Sequence, residues 1–303
     1  MAADDDNMSA EDRLIARHFK PIATHPGALG LSDDAAHTVA SKALRVNLSD
    51  LAAKGARPLG FLLSLALPKD VSDSWLADFA NGLRGDAVLF ACPLFGGDTD
   101  RTPGPITISI AMFGSVPEGT MVKRAGAKPG DVVFVSGSIG DASLGLMLRK
   151  EAAPAWKLDQ AQRQHLVSRY LLPQPRNVLA EAVRIHASAA MDVSDGLAGD
   201  LAKLCRASKV AAVIEATRVP LSEAARAAIA ADPAMLAPAL TGGDDYEIVC
   251  TVPPAKADAF RAAAQAAHVA VTEIGQIAAG EGARFKGADG QVLKFKRASF
   301  SHF

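Results

Sequence analysis

Apolar positions recur at two spacings along this chain, one of helices and one of strands. Leu14, Ile15, His18 and Phe19 share one helical face that ends near Lys20-Pro21. Val39, Ala43, Val46 and Leu51 then recur among alanines, and Gly55 and Pro58 close the run. That pattern predicts a helix over 39–56 buried on much of its surface. Phe61 to Leu67 reads as a strand ended by Pro68, and Ser72 or Asp73 is placed to cap a helix carrying Trp75, Leu76, Phe79 and Leu83. Ala87 to Phe95 is a second apolar strand candidate, and Ile106 to Phe113 a third.

After Val116-Pro117-Glu118-Gly119 the pattern changes. Strands are predicted at Val132–Val135, Ala211–Ile214, Tyr246–Val252 and Val269–Ile277. Helices are predicted over 162–172, 178–185, 222–231 and 257–267, with a closing hairpin around Gly287 to Gly290. The reading is α+β in two domains: residues 1–122 with a mixed sheet, and residues 123–303 as a larger α/β domain.

Composition narrows the function classes. The chain has 303 residues, 49% hydrophobic, with a formal net charge of -1. No basic surface for nucleic acid follows from that balance, and no apolar run approaches the ~20 residues of a membrane span. The three cysteines, Cys92, Cys205 and Cys250, form no CxxC pair, which fits a reducing cytoplasm and argues against zinc. The acidic, polar start at Asp4, Asp5 and Asp6 predicts disorder there and is unlike a signal peptide.

The candidate chemistry lies in repeated glycine–carboxylate turns. Asp192-Val193-Ser194-Asp195-Gly196 follows an apolar run from Ala189 and precedes a helical pattern at Leu197, Leu201 and Leu204. A strand end, a turn and a helix start are expected there. Two carboxylates in that position are costly to desolvate unless a cation meets them, and hard oxygens suit Mg²⁺. The adjacent helix N-terminus offers N–H groups to a phosphate. Helix capping by Ser194 or Asp195 is the plainer reading of the same residues.

Gly30-Leu31-Ser32-Asp33-Asp34, Gly96-Gly97-Asp98-Thr99 and Gly242-Gly243-Asp244-Asp245-Tyr246-Glu247 repeat the theme. Gly96-Gly97 reads either as a close approach for phosphate or as a hairpin turn. Asp50 reads either as a ligand on a rigid helix or as part of its solvent side. The basic loop from Lys123-Arg124 to Asp131 is a phosphate clamp or a solvated turn. Ser136-Gly137-Ser138-Ile139-Gly140 lacks the ending of a P-loop. The aromatic tail Ser299 to Phe303 is a packed end or a platform for a flat ring.

Taken in order, these motifs resemble the thiamine-monophosphate kinase family, within the superfamily of aminoimidazole ribonucleotide synthetase. The stretches Asn47-Leu48-Ser49-Asp50-Leu51-Ala52-Ala53-Lys54-Gly55-Ala56 and Lys123 to Asp131 belong to the set, which spans almost the whole chain. The resemblance implies a two-domain aminoimidazole ribonucleotide synthetase-like fold and direct transfer of the ATP γ-phosphate to thiamine monophosphate. It implies a homodimer joined through its N-terminal sheets. It also implies Mg²⁺ ligands at Asp34, Asp50, Asp98, Asp192 and Asp195, with Asp33 adjacent. Gly97, Asp98, Arg124 and Ser194 become ATP contacts by motif match, and Glu247 and Phe303 thiamine-side contacts. Asp50, Asp98, Asp192 and Arg124 carry the chemistry on this reading.

The chain departs from the family at one place. The family carries a further strand and loop resembling Asp-Thr-Leu-Val-Glu-Gly-Val-His-Phe, which supplies a metal-binding Asp and a substrate-binding His. Here Ala36-His37-Thr38 joins the flanks directly, and His37 does not inherit the missing role. A non-catalytic or altered nucleotide-binding relative is therefore the alternative. Relatives that activate other substrates would show a reactive N-terminal cysteine or a C-terminal one, and neither occurs.

Overall fold

The computed structural model describes residues 34–150 and 156–295. The predicted helix around Leu14, the residues Gly30 to Asp33 and the aromatic tail ending at Phe303 lie outside the described residues. The chain divides into two compact units, one of residues up to Leu44 and Leu59–Phe113, the other of Arg45–Pro58 and residues from Gly114 on.

The first unit holds a three-stranded sheet in the order β2-β1-β3: β1 (Arg57–Leu67), β2 (Leu94–Arg101) and β3 (Thr107–Ser115). Helix α1 (Ala36–Ala53) belongs to this unit as far as Leu44, and α2 (Asp73–Leu89) lies between β1 and β2 in the chain. Phe61, Leu63, Phe79, Leu83 and Ile108 are buried and make its core. Ser72 caps α2 as its sequence predicts, its Oγ accepting the Trp75 N–H at 3.1 Å.

Two expectations are corrected in this unit. Ala87 to Leu89 are the last turn of α2 and not a strand, because the helix started at Ser72 runs on until Phe90. The motif Gly96-Gly97-Asp98-Thr99 is no hairpin turn either. It lies within β2, which pairs in parallel with β1. A Cβ on Gly97 would fall 1.8 Å from Leu63 O, so the neighbouring strand fills the space its missing side chain leaves.

Ala36-His37-Thr38 forms the first turn of α1. Asp78 of α2 accepts the His37 backbone N–H at 3.0 Å and meets its ring Nδ1 at 3.0 Å. Gly82 admits the α1 backbone closely, since a Cβ there would lie 2.4 Å from His37 O. Residues 36–38 are thus a helix start tied by a carboxylate.

The second unit is built on a six-stranded sheet in the order β5-β7-β4-β8-β6-β9. Its strands are β4 (Val132–Ser136), β5 (Ala189–Asp192), β6 (Ala211–Glu215), β7 (Ile248–Val252), β8 (Val271–Ala278) and β9 (Gly282–Lys286). The pairs are antiparallel except β6 with β9. Val133, Val135, Met191 and Val249 face one apolar cluster, and Phe134, Ala190, Ile248 and Cys250 face another. Both faces of the central strands are covered, which is why they read as mostly apolar runs. Helices α3 (Asp141–Arg149), α4 (Gln160–Leu171), α5 (Ala180–His186), α6 (Leu197–Ser208), α7 (Glu223–Ala231), α8 (Leu236–Thr241) and α9 (Ala257–Ala266) complete the unit. The closing turn is present, with Gly287 N–H donating to Gln291 O at 2.8 Å. Strand β7 starts at Ile248, after the Tyr246-Glu247 pair that the sequence pattern includes in it.

Candidate functional site

The Asp192 turn and the Gly243 turn are held backbone to backbone. Asp192 ends β5, and α6 begins at Leu197. Val193 N–H donates to Glu247 O at 2.8 Å, Tyr246 N–H to Val193 O at 2.9 Å, and Asp244 N–H to Ser194 O at 2.9 Å. Such spacing leaves no room for side chains between them. A Cβ on Gly243 would sit 2.4 Å from Ser194 O, and one on Gly196, whose φ is +106°, 2.5 Å from the Thr241 carbonyl carbon. Asp244 and Tyr246 both hold left-handed backbone, at φ 74° and 50°. That conformation is uncommon outside glycine and marks a turn fixed by its surroundings.

The capping reading of this turn is corrected. Gly196 is the residue that precedes α6, and no side chain caps the helix start. Ser194 and Asp195 are spared for other partners, and both are half-buried. Asp195 meets Lys203 Nζ, which also donates to Asp200 at 2.8 Å.

Asp192 itself is buried, with 5% of its surface exposed. Burial first, then the negative charge of Asp50, then that of Asp200, pushes its carboxyl up to about 8. Asp50 comes from the exposed side of the last turn of α1, in the same unit. Burial lowers the pKa of Lys54 and the charge of Arg124 adds to this, while Asp50 and Asp192 oppose both. Two carboxylates and two cations are therefore within electrostatic reach of one another. Ser49 Oγ donates to Tyr246 O at 3.3 Å and ties α1 to the Gly243 turn.

Arg124 is exposed on a loop fixed from behind. Ser208 Oγ donates to Arg124 O at 3.0 Å and accepts the Gly126 and Ala127 N–H groups at 3.2 Å each. Asp131 accepts the Lys128 N–H at 3.0 Å and the Ser188 hydroxyl at 2.6 Å.

Glu247 is wholly buried and saturated with donors. Arg176 Nε reaches it at 2.7 Å, Arg176 Nη2 at 2.5 Å, Arg169 Nη2 at 2.8 Å and Ser136 Oγ at 2.6 Å. Two guanidiniums against one carboxylate leave a surplus positive charge. Asp245, next to it, accepts the Gly140 and Ala142 N–H groups at 2.8 and 3.3 Å and so anchors the start of α3. Burial raises its carboxyl well above the usual range.

The second unit thus brings together Asp50, Arg124, Asp192, Ser194, Asp195 and Glu247. Asp98 and Gly97 are exposed on β2 in the first unit, and Asp34 precedes α1 there. Asp33 and Phe303 lie outside the described residues. Lys54, Asp200, Lys203, Arg169 and Arg176 carry weight that the sequence reading did not assign them. Local spacing signals two of these positions: Lys54 follows Asp50 by four residues, and Lys203 follows Asp200 by three on α6. Among the described residues no group of three or more His, Cys, Asp or Glu stands as a closed metal cage. A repelling pair of hard-oxygen donors, one of them buried, is nonetheless what a divalent cation relieves, and Mg²⁺ completes its shell with water and phosphate.

The chain matches the family described as AIR synthase related protein, its N-terminal domain over residues 17–116 and its C-terminal domain over residues 128–287. It is 44% identical over 264 residues to the thiamine-monophosphate kinase of Caulobacter vibrioides, covering 86% of this chain and 73% of that one. The crystal structure of thiamine-monophosphate kinase from Stenotrophomonas maltophilia superposes with a TM-score of 0.77 at 38% identity, over 85% of this chain and 80% of the other. A structure of AaThiL complexed with AMPPCP and TMP gives 0.77 at 31% identity, over 89% and 82%.

Proposed function

This chain belongs to the thiamine-monophosphate kinases of the AIR synthase related family, and from that premise we propose that it phosphorylates thiamine monophosphate with ATP. The products are thiamine diphosphate and ADP, and the enzyme is a phosphotransferase. The observation that carries the reading is the meeting of Asp50, Lys54, Arg124 and Asp192 beside two interlocked glycine turns.

The chemistry asks little of a general base. A phosphate oxygen of thiamine monophosphate forms a bond to the ATP γ-phosphorus, and the bond from that phosphorus to the β–γ bridging oxygen breaks. The attacking oxygen is already anionic, so no proton has to be removed. What the site must supply is alignment and relief of repulsion between two anionic substrates. Arg124 offers a fork for phosphate oxygens. Asp50, Asp192 and Asp195, with Asp98, Asp34 and Asp33, are the proposed magnesium ligands. Magnesium, when bound, neutralises charge on the β- and γ-phosphate oxygens. Gly97, Asp98, Arg124 and Ser194 are each proposed as ATP contacts. Glu247 and Phe303 are proposed on the thiamine side, Glu247 acting together with Arg169 and Arg176, which take both its oxygens.

A homodimer through the first unit is part of this reading. Leu62, Phe95 and Phe113 leave an apolar sheet face exposed, and the Phe95 and Phe113 rings stand 6.4 Å apart on it. A cytoplasmic location and no nucleic-acid or membrane partner are also proposed. Cys92, Cys205 and Cys250 are free and buried, and no helix among the described residues is long and apolar enough to cross a membrane.

A second reading, nucleotide binding without turnover, rests on the direct junction at Ala36-His37-Thr38, where Asp78 holds the His37 ring. The test incubates the full chain with ATP, MgCl₂ and thiamine monophosphate and follows the products by chromatography. Equal amounts of thiamine diphosphate and ADP are expected, and none once EDTA is added. ATP binding with no thiamine diphosphate would overturn the kinase reading.

A further inference from the structure

The turn that carries Asp195 is held by a cation belonging to the chain itself. Lys203 Nζ, in the second turn of α6, donates to Asp195 Oδ2 and, at 2.8 Å, to Asp200 Oδ1. Asp200 is fully buried, and its other oxygen accepts the Asp195 backbone N–H at 2.8 Å. The backbone of Asp195 is therefore anchored by Asp200, and its side chain by Lys203. The lysine is 28% exposed and Asp195 24%, so solvent and ions reach the point where they meet.

We infer that Lys203 is a tethered counter-cation of the metal-binding turn: it holds Asp195 while no divalent cation is bound and weakens the divalent cation's grip once one arrives. This rests on the proposed reading of Asp192 and Asp195 as magnesium ligands. The ammonium and a bound Mg²⁺ would compete for the Asp195 carboxylate and repel one another. When Mg²⁺ takes Asp195, Lys203 retains Asp200 as its partner and is not stranded. The Asp200 bond to the Asp195 N–H involves no cation, so the turn keeps its shape in both states. Lys203 is a positioning residue, and its consequence is a weaker hold of the turn on a divalent cation.

The test titrates MgCl₂ into the full-length protein with the ATP analogue AMPPCP present, reading the unfolding temperature and the apparent Mg²⁺ Kd, with EDTA as the zero point. Lys203→Met should melt lower than the native protein in EDTA and regain the difference as Mg²⁺ rises. Its Kd should tighten about five- to tenfold, the size of one lost charge repulsion at a half-exposed site. Lys203→Gln keeps hydrogen-bond donors for both carboxylates, so it preserves the turn if the Met variant fails to fold, and the same tightening is expected. Lys203→Arg should leave the Kd near native. An equal loss of stability with and without Mg²⁺ and an unchanged Kd would overturn the inference and leave Lys203 merely structural. A native protein that ignores Mg²⁺ altogether would overturn the metal reading first, and the inference with it.

Discussion

Asp192 and Asp98 come from similar glycine–aspartate motifs and end in opposite surroundings. Asp192 closes a strand covered on both faces, and the fold pushes its carboxyl up to about 8. Asp98 lies on an edge strand whose residues are nearly all exposed, where its Oδ1 accepts the Thr99 N–H at 2.8 Å. The difference teaches that a motif supplies the oxygen donors and the packing decides their chemistry. Asp192 is a component of the architecture, and Asp98 is an attachment to it.

The comparison breaks most readily at Glu247. Glu247→Ala would leave two guanidiniums facing each other in a buried site, and should cost about 3–5 kcal/mol of folding stability. A urea midpoint that hardly moves would show that the network is looser than its hydrogen bonds imply.

Asp192→Asn comes next. Thiamine diphosphate formation should fall about 10²- to 10³-fold, as when one preorganised electrostatic group is lost, with no loss of stability. Asp98→Asn should also lower activity while moving stability by less than about 0.5 kcal/mol. A large drop in the melting temperature of the Asp98 variant would contradict the contrast between the two units.

Glycines sharpen the same contrast. Gly243→Ala, with its Cβ forced 2.4 Å from Ser194 O, should cost about 2–3 kcal/mol by overpacking. Gly85 of α2 meets nothing within 4 Å, and Gly85→Ala should stabilise by about 0.5–1 kcal/mol through helix propensity. Chemical denaturation of the two variants reads both signs.

The smallest effect is a slope. The folded state holds a proton on Asp245 at pH values where the unfolded chain has released it. Stability from this group is complete below the unfolded value of about 3.9 and is lost as pH climbs toward the raised folded value. Asp245→Asn removes that slope, at a cost of about 1 kcal/mol for the second N–H it no longer accepts. The gap between native and variant midpoints should therefore narrow as pH rises above about 4, the unfolded value. A gap that widens with pH would contradict the buried, proton-holding carboxyl.

Much of this architecture is legible in the residues, for identifiable reasons. Val132–Ser136 and Ile248–Val252 are buried on both faces, and their mostly apolar runs announce it. Ala87 to Phe95 misleads by the same token. Its first three residues are a helix end with Val88 and Leu89 exposed, and its last two open a strand at Leu94. The Asp192 turn is legible as strand, turn and helix. Its contact with Gly243 is not, because close backbone packing leaves only the glycines as a trace. Arg169 and Arg176 reach Glu247 from about seventy residues away in the chain, with no local spacing to signal it. Lys203 lies eight residues from Asp195, beyond the i,i+4 window in which helix pairs are sought.

The most direct test of the account supplies ATP labelled in its γ-phosphate to the full chain with MgCl₂ and thiamine monophosphate, and asks where the label goes. Direct transfer predicts one labelled terminal phosphate in thiamine diphosphate for each ADP released. Labelled ATP that binds and returns unchanged, or label found only as free phosphate, would contradict it.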